Sequence, residues 1–117
     1  MSSITSFDST VLNDYLNNNQ SDVKDMIKLF LTTIPPLIEK LKDHTAKQNW
    51  KQVNYIAHRF KPSLDILGFH NSKEKAEIIE KMAETEKEID TINRFVNELE
   101  NDIQQIINIL KKELEKM

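Results

Sequence analysis

Gly68 is the only glycine among 117 residues, and that scarcity limits the fold more than any other feature. Tight turns, bulges and left-handed backbone are the usual work of glycine. A chain nearly without it, with only three prolines, has few places to reverse and must run in long regular segments. Apolar residues recur at intervals of three and four along most of the sequence, which is the period of an amphipathic helix. Nowhere do they alternate cleanly, as a half-buried strand requires. Hydrophobic residues make up 38% and charged ones 30%, enough for one modest core under a wet surface.

The segment "FDSTVLNDYLNNNQ" predicts a short first helix, capped by Asp8 or Ser9, with Val11, Leu12, Tyr15 and Leu16 as its apolar side. The asparagine run at 17–19 ends it. Ser21 is expected to cap a second helix whose stripe is Val23, Met26, Ile27, Phe30, Ile34, Leu37, Ile38 and Leu41. Pro35 and Pro36 interrupt that stripe, which resumes in phase, so a kink is expected rather than a stop. Asn49 with Gln52 resembles a capping box for a third helix bearing Val53, Ile56, Ala57, Phe60, Leu64 and Leu67, closed by Gly68. A fourth helix is expected from Asn71 or Ser72, bearing Ala76, Ile79, Met82 and Ala83. A fifth is expected from Asp90 or Thr91, with a heptad-like stripe from Ile92 to Leu114. The expected fold is all-α: an antiparallel four-helix bundle with a short additional N-terminal helix.

Composition removes several classes of function. The net charge of −3, with signs interleaved, leaves no basic face for nucleic acid and no polybasic patch for a membrane surface. No apolar run approaches the roughly 20 residues of a membrane span. The N-terminus "MSSITSFDST" has neither the basic nor the apolar region of a secretion signal. Without cysteine there is no disulfide or thiolate chemistry, and a cytoplasmic location is expected. One glycine cannot build a glycine-rich phosphate loop, so no nucleotide site is expected.

On a helical wheel the six apolar positions of the third helix fill an arc of about 100°, and His58 lies about 150° from its centre. The imidazole is therefore expected to face solvent in mid-helix. Asn54, Lys61 and Asp65 stand at i−4, i+3 and i+7 from it and are expected to share its exposed stripe. Tyr55 is also off the core face. His44 and His70 are not at i±3 or i±4 from His58, and no H-E-x-x-H pattern occurs, which argues against a metal site. Ser63, the nearest hydroxyl, points toward the core flank, so a nucleophile–base pair has no support. Nucleophilic use of the imidazole itself remains. A solvent-facing histidine is ordinarily mostly neutral at pH 7 and keeps a free lone pair that can attack a phosphoryl group. Lys61, one turn along, is placed to offset the charge that the product carries.

The segment "AHRFKPSLDILG", Ala57 to Gly68, resembles the signature of histidine-containing phosphotransfer (HPt) domains, roughly A-H-x-L-K-G-S-x-x-x-L-G. Ala57, His58, Lys61, Ser63, Leu67 and Gly68 match in identity and spacing. "FDSTVLNDYL", "DMIKLFLTTIPPLIEKL" and "NWKQVNYIAH" resemble the family's opening helices and the lead into its histidine, so residues 1–117 are expected to form a single HPt-like domain. Two positions depart from the pattern. Phe60 stands where leucine is usual, a change the core is expected to absorb by repacking. Pro62 stands where the family has glycine, and it removes the donor to the carbonyl of His58.

The resemblance implies a phosphocarrier without catalytic turnover of its own. His58 would be the phosphoacceptor, Lys61 its charge support, and Ser63 and Gly68 structural parts of the motif. Asn54, Tyr55, Pro62 and Asp65 would lie on the docking face. The partners implied are response-regulator receiver domains and a hybrid sensor histidine kinase, with Mg²⁺ on the receiver and no cofactor on this chain. A monomer is expected, and Met1 with a full set of helices favours a free-standing protein. A phosphorylation-independent helical adaptor and a purely structural bundle remain alternatives at this point.

Overall fold

The computed structural model describes residues 7–117, and every element among them is helical: α1 (Thr10–Tyr15), α2 (Gln20–Ala46), α3 (Trp50–Ile66), α4 (His70–Thr85) and α5 (Ile89–Lys116). The reading of the first six residues as lacking a secretion signal lies outside the described part. Three-residue connections join α2 to α3, α3 to α4 and α4 to α5, so consecutive helices run antiparallel. The four long helices contact one another in a closed ring, α2–α3–α4–α5–α2, and α1 rests on α2 and α3. The molecule measures 43 × 24 × 20 Å. The long dimension is that of α5, whose 28 residues at about 1.5 Å each span the whole bundle.

The stripes meet as the periodicity demands. Ile27, Ile34 and Leu41 of α2, Phe60 and Leu64 of α3, Ile79 of α4, and Leu99, Ile103, Ile106 and Leu110 of α5 are all buried. Phe60 is fully buried, so the ring standing in the leucine position is part of the core. In α1 only Leu12 is buried, while Val11 and Tyr15 face outward. Six residues give too short a stripe to bury two sides.

With one glycine available, other residues take the left-handed turns. Asn17, Asn18, Gln48, Glu86 and Glu88 all have positive φ. Gly68, at φ +80°, closes α3 in a Schellman arrangement. The Phe69 amide donates to Leu64 O at 2.9 Å and the Gly68 amide to Asp65 O at 3.0 Å. A Cβ at this position would also come within 3.1 Å of the Asp8 carbonyl oxygen. Pro35 and Pro36 are accommodated inside an unbroken α2. The Thr32 and Thr33 hydroxyls of the preceding turn donate back to Lys28 O and Leu29 O, each at 3.0 Å.

Several helix starts differ from the sequence-based expectation. Asn19, not Ser21, caps α2, its side chain accepting from the Asp22 amide at 3.1 Å. Asn49 does precede α3, but no capping box forms with Gln52, because the Asn49 amide turns to His44 Nδ1 at 3.3 Å. Ser9 precedes α1 with its hydroxyl turned to the Asn13 side chain rather than to a backbone amide. Helix α4 begins at His70, ahead of Asn71 and Ser72, and α5 begins at Ile89, ahead of Asp90 and Thr91. Ser72 is drawn into the core instead, where it donates to the buried Asp102 carboxylate of α5 at 2.8 Å. Lys75 reaches the same carboxylate oxygen at 2.7 Å.

Candidate functional site: the exposed histidine on helix α3

The wheel placed His58 away from the core, and its side chain is 64% exposed. Its backbone is held by the buried residues on either side, Ala57 and Phe60, so the ring projects from a fixed helix rather than from a loop. Helix α4 runs antiparallel alongside and brings Glu80 to the base of the imidazole. Glu80 Oε2 lies 2.5 Å from His58 Nδ1, and Oε1 lies 2.7 Å from Lys61 Nζ. Asn54, one turn before His58, donates its side-chain amide to the backbone carbonyl of Glu80 at 2.8 Å. One residue of α4 is thus gripped by three residues of α3.

The electrostatics assign the proton. The Glu80 side chain is only 14% exposed. Burial pushes its carboxyl upward, but the hydrogen bonds from Lys61 and His58 outweigh burial and hold it below the ordinary carboxylate range. An ionised carboxylate only accepts hydrogen bonds. His58 therefore presents Nδ1–H to Glu80, which leaves Nε2 as the ring nitrogen not engaged by the carboxylate. The Glu80 hydrogen bond raises the proton affinity of the Lys61 ammonium against the opposing effect of burial. Lys61 is fully charged but committed.

The expected exposed stripe is only partly exposed. Asp65 is open to solvent, where it meets Lys73 at 3.4 Å and His70 at 3.6 Å. Asn54 and Lys61 are half-buried, because α4 packs over that flank of α3 and uses both side chains to hold Glu80. Lys61 is not the free cation its spacing suggested. Tyr55 is exposed, with the Arg59 guanidinium 5.9 Å from its ring centre, and Pro62 is exposed one turn beyond His58. Ser63 is half-buried beside a small groove lined by Met26, Leu29, Phe30 and Ile66. Glu80 is the residue that sequence reasoning missed. It stands 22 positions from His58, but it follows Ile79 and lies about 40° from Ala76 on the wheel. An acidic residue at that margin of a buried stripe was the available signal.

Among the described residues no group of three or more His, Cys, Asp or Glu is placed to hold a metal ion. No described helix is long and apolar enough to cross a membrane.

The family model of the Hpt domain matches residues 25–113, which include all of α3 and α4 and the cluster around His58. The chain belongs to the Hpt domain family. No curated protein and no solved structure matches it. Hpt domains are phosphocarrier modules that pass phosphoryl groups on histidine in phosphorelays, interacting there with receiver domains and kinases.

Proposed function

We propose that this chain is the histidine phosphocarrier of a multistep relay, with His58 Nε2 as the acceptor atom. A receiver aspartyl phosphate docks over the exposed ring. The Nε2 lone pair forms the N–P bond as the P–O bond to the aspartate breaks, and the electron pair leaves on the aspartate as carboxylate. The reverse step delivers the phosphoryl group to a second receiver. A hybrid sensor histidine kinase stands upstream, and any Mg²⁺ belongs to the receiver. The carrier acts as a monomer in the cytoplasm.

The observation that carries this reading is the half-tied imidazole: Nδ1 is held by Glu80 while the ring is 64% exposed. Fixing one nitrogen presets the tautomer and the ring direction, which lowers the entropic cost of attack. Lys61 contributes by holding Glu80 in place and ionised. Tyr55, Pro62 and Asp65 form the rim that a receiver meets, and Asn54 positions α4 from beneath. Ser63 and Gly68 serve the shape of α3.

The test is incubation of the chain with a phosphorylated receiver domain. An acid-labile, alkali-stable phospho-adduct should form on the wild type and be absent from His58→Gln. An adduct on the variant would dismiss His58 as acceptor. Failure to label the wild type from any receiver or from phosphoramidate would leave the helical adaptor as the better reading.

A further inference from the structure

Orienting the His58 ring does not require a carboxylate. A glutamine carbonyl at position 80 would also accept an Nδ1–H bond, though a weaker one, and fix the same tautomer. A carboxylate also has to be desolvated at this half-covered site, and Lys61 is used up in holding it ionised. The negative charge therefore needs its own explanation.

Transfer creates a charge at this position. When Nε2 bonds to phosphorus, no proton has to move. The ring then carries hydrogen on Nδ1 and phosphorus on Nε2, and it is formally cationic. Its Nδ1 lies 2.5 Å from Glu80 Oε2. Lys61 on the other carboxylate oxygen keeps Glu80 from taking the proton itself, because it holds the carboxyl low. A cationic ring is a good leaving group, since breaking the N–P bond returns a neutral imidazole. A ring that has lost its Nδ1 proton would have to leave as an anion.

We infer that the charge of Glu80 keeps phosphorylated His58 protonated at Nδ1, and so keeps the phosphoryl group transferable. This rests on the phosphocarrier reading of His58. Glu80 is a positioning residue in the resting protein and an electrostatic partner in the phosphorylated one. An opposite charge within about 4–6 Å favours the charged form of a titrating group. The remaining charged neighbours are already occupied. On α3, Arg59 lies by the Tyr55 ring, and Asp65 pairs with Lys73 and His70. On α4, Glu77 pairs with Lys81 at 3.1 Å and also favours the charged form of Lys61 from a distance. No ion pair joins α2 to this cluster among the described residues.

The experiment starts from full-length protein phosphorylated by phosphoramidate, which needs no receiver. Phosphorus and nitrogen NMR follow the Nδ1 proton of phospho-His58 against pH, in the folded protein and in the same protein unfolded in urea. The folded protein should keep the proton to about one pH unit higher, a tenfold gain in proton affinity. In Glu80→Gln this gain should vanish, and phosphotransfer to a receiver should begin to fall at correspondingly lower pH. Coincident folded and unfolded titrations would overturn the inference. So would a Glu80→Gln protein whose transfer is slower by the same factor at every pH, which is the mark of a purely orienting role. If Glu80→Gln does not fold, the wild-type comparison decides alone. If neither phosphoramidate nor a phosphorylated receiver labels His58, the phosphocarrier reading fails, and this inference with it.

Discussion

The two seams of α4 are built from the same chemical kit, and they differ in one respect. In the α3–α4 seam, Glu80 receives a lysine and a histidine. In the α4–α5 seam, Asp102 receives a lysine and a serine. Both carboxylates are largely shielded, at 14% and 5% exposed. Their partners are not alike: Ser72 is buried, whereas His58 stands 64% in solvent. A cluster whose carboxylate and hydroxyl are both buried can fix the register of two helices, and its loss leaves uncompensated polar groups. A cluster with one member outside can hold that member in a set orientation while leaving it open to an incoming group. On the proposed reading the comparison sets a structural role for Asp102 beside a chemical one for Glu80, although each carboxylate accepts two short hydrogen bonds.

The largest expected effect falls on the open member. His58→Gln should abolish phosphoryl acceptance while changing stability by only about 0.5 kcal/mol, as surface substitutions do. Phospho-labelling alongside urea unfolding measures both. A destabilisation of several kcal/mol would mean that His58 is itself structural and would erase the contrast between the seams.

Asp102→Ala should do the opposite. Removing one partner of a buried pair costs about 3–5 kcal/mol. Because Lys75 retains some exposure and can turn to water, the lower figure, about 3 kcal/mol, is expected here. Folded Asp102→Ala should still accept phosphoryl from phosphoramidate at the wild-type rate. A folded but inactive variant would show that the α4–α5 seam reaches the site through Glu80.

How far these seams were legible in the sequence follows from the range of the contacts. The bundle was legible because a stripe such as Val53, Ile56, Ala57, Phe60 and Leu64 is a local pattern that the core only has to accept. Gly68 was legible because a lone glycine after such a stripe has one common use. The outward direction of His58 was legible from the same wheel. Its partner was not: Glu80 lies 22 residues away, and only the register of α4 against α3 brings the two together. The same tertiary override took Ser72, which local rules made a cap, into a bond with Asp102 30 residues on. Asn54 and Lys61 were expected in the open because the wheel of α3 says nothing about which flank α4 will cover.

Lys61→Ala sharpens the comparison from the partner side. Losing one charge-assisted contact to Glu80 should slow single-turnover transfer roughly tenfold, equivalent to about 1.4 kcal/mol, with receiver docking little changed. An unchanged rate with unchanged affinity would remove Lys61 from the site and leave Glu80 sufficient alone.

Acid should weaken the α3–α4 seam. The folded-state value of Glu80 lies below its ordinary one, so its stabilising contribution is complete above the ordinary carboxyl range and is lost as pH falls through the depressed value. Urea unfolding of the wild type and Glu80→Gln over a pH series should show a difference at neutral pH that closes on the acid side. A difference that stays constant with pH would mean that the carboxyl contributes through packing rather than charge.

The smallest effect is expected at Pro62, which belongs to neither seam and lies on the rim above His58. It is exposed inside α3 and leaves the His58 carbonyl without its helical donor. Pro62→Gly opposes two terms in stability. Glycine restores that donor but gives the unfolded chain more freedom, at a cost of about 0.5–1 kcal/mol, so the net change should be near zero. The effect to look for is selectivity. A proline ring one turn from the acceptor narrows the approach to the imidazole, and steric exclusion of wrong partners is one way an interface builds specificity. Transfer rates from a panel of phosphorylated receivers should therefore spread less widely for Pro62→Gly than for the wild type, with poor donors gaining most. An identical rate profile would make the proline a neutral variation. Selective loss of the best donor would make its ring part of the recognised surface, and the rim rather than the Glu80 cluster would then choose the partner.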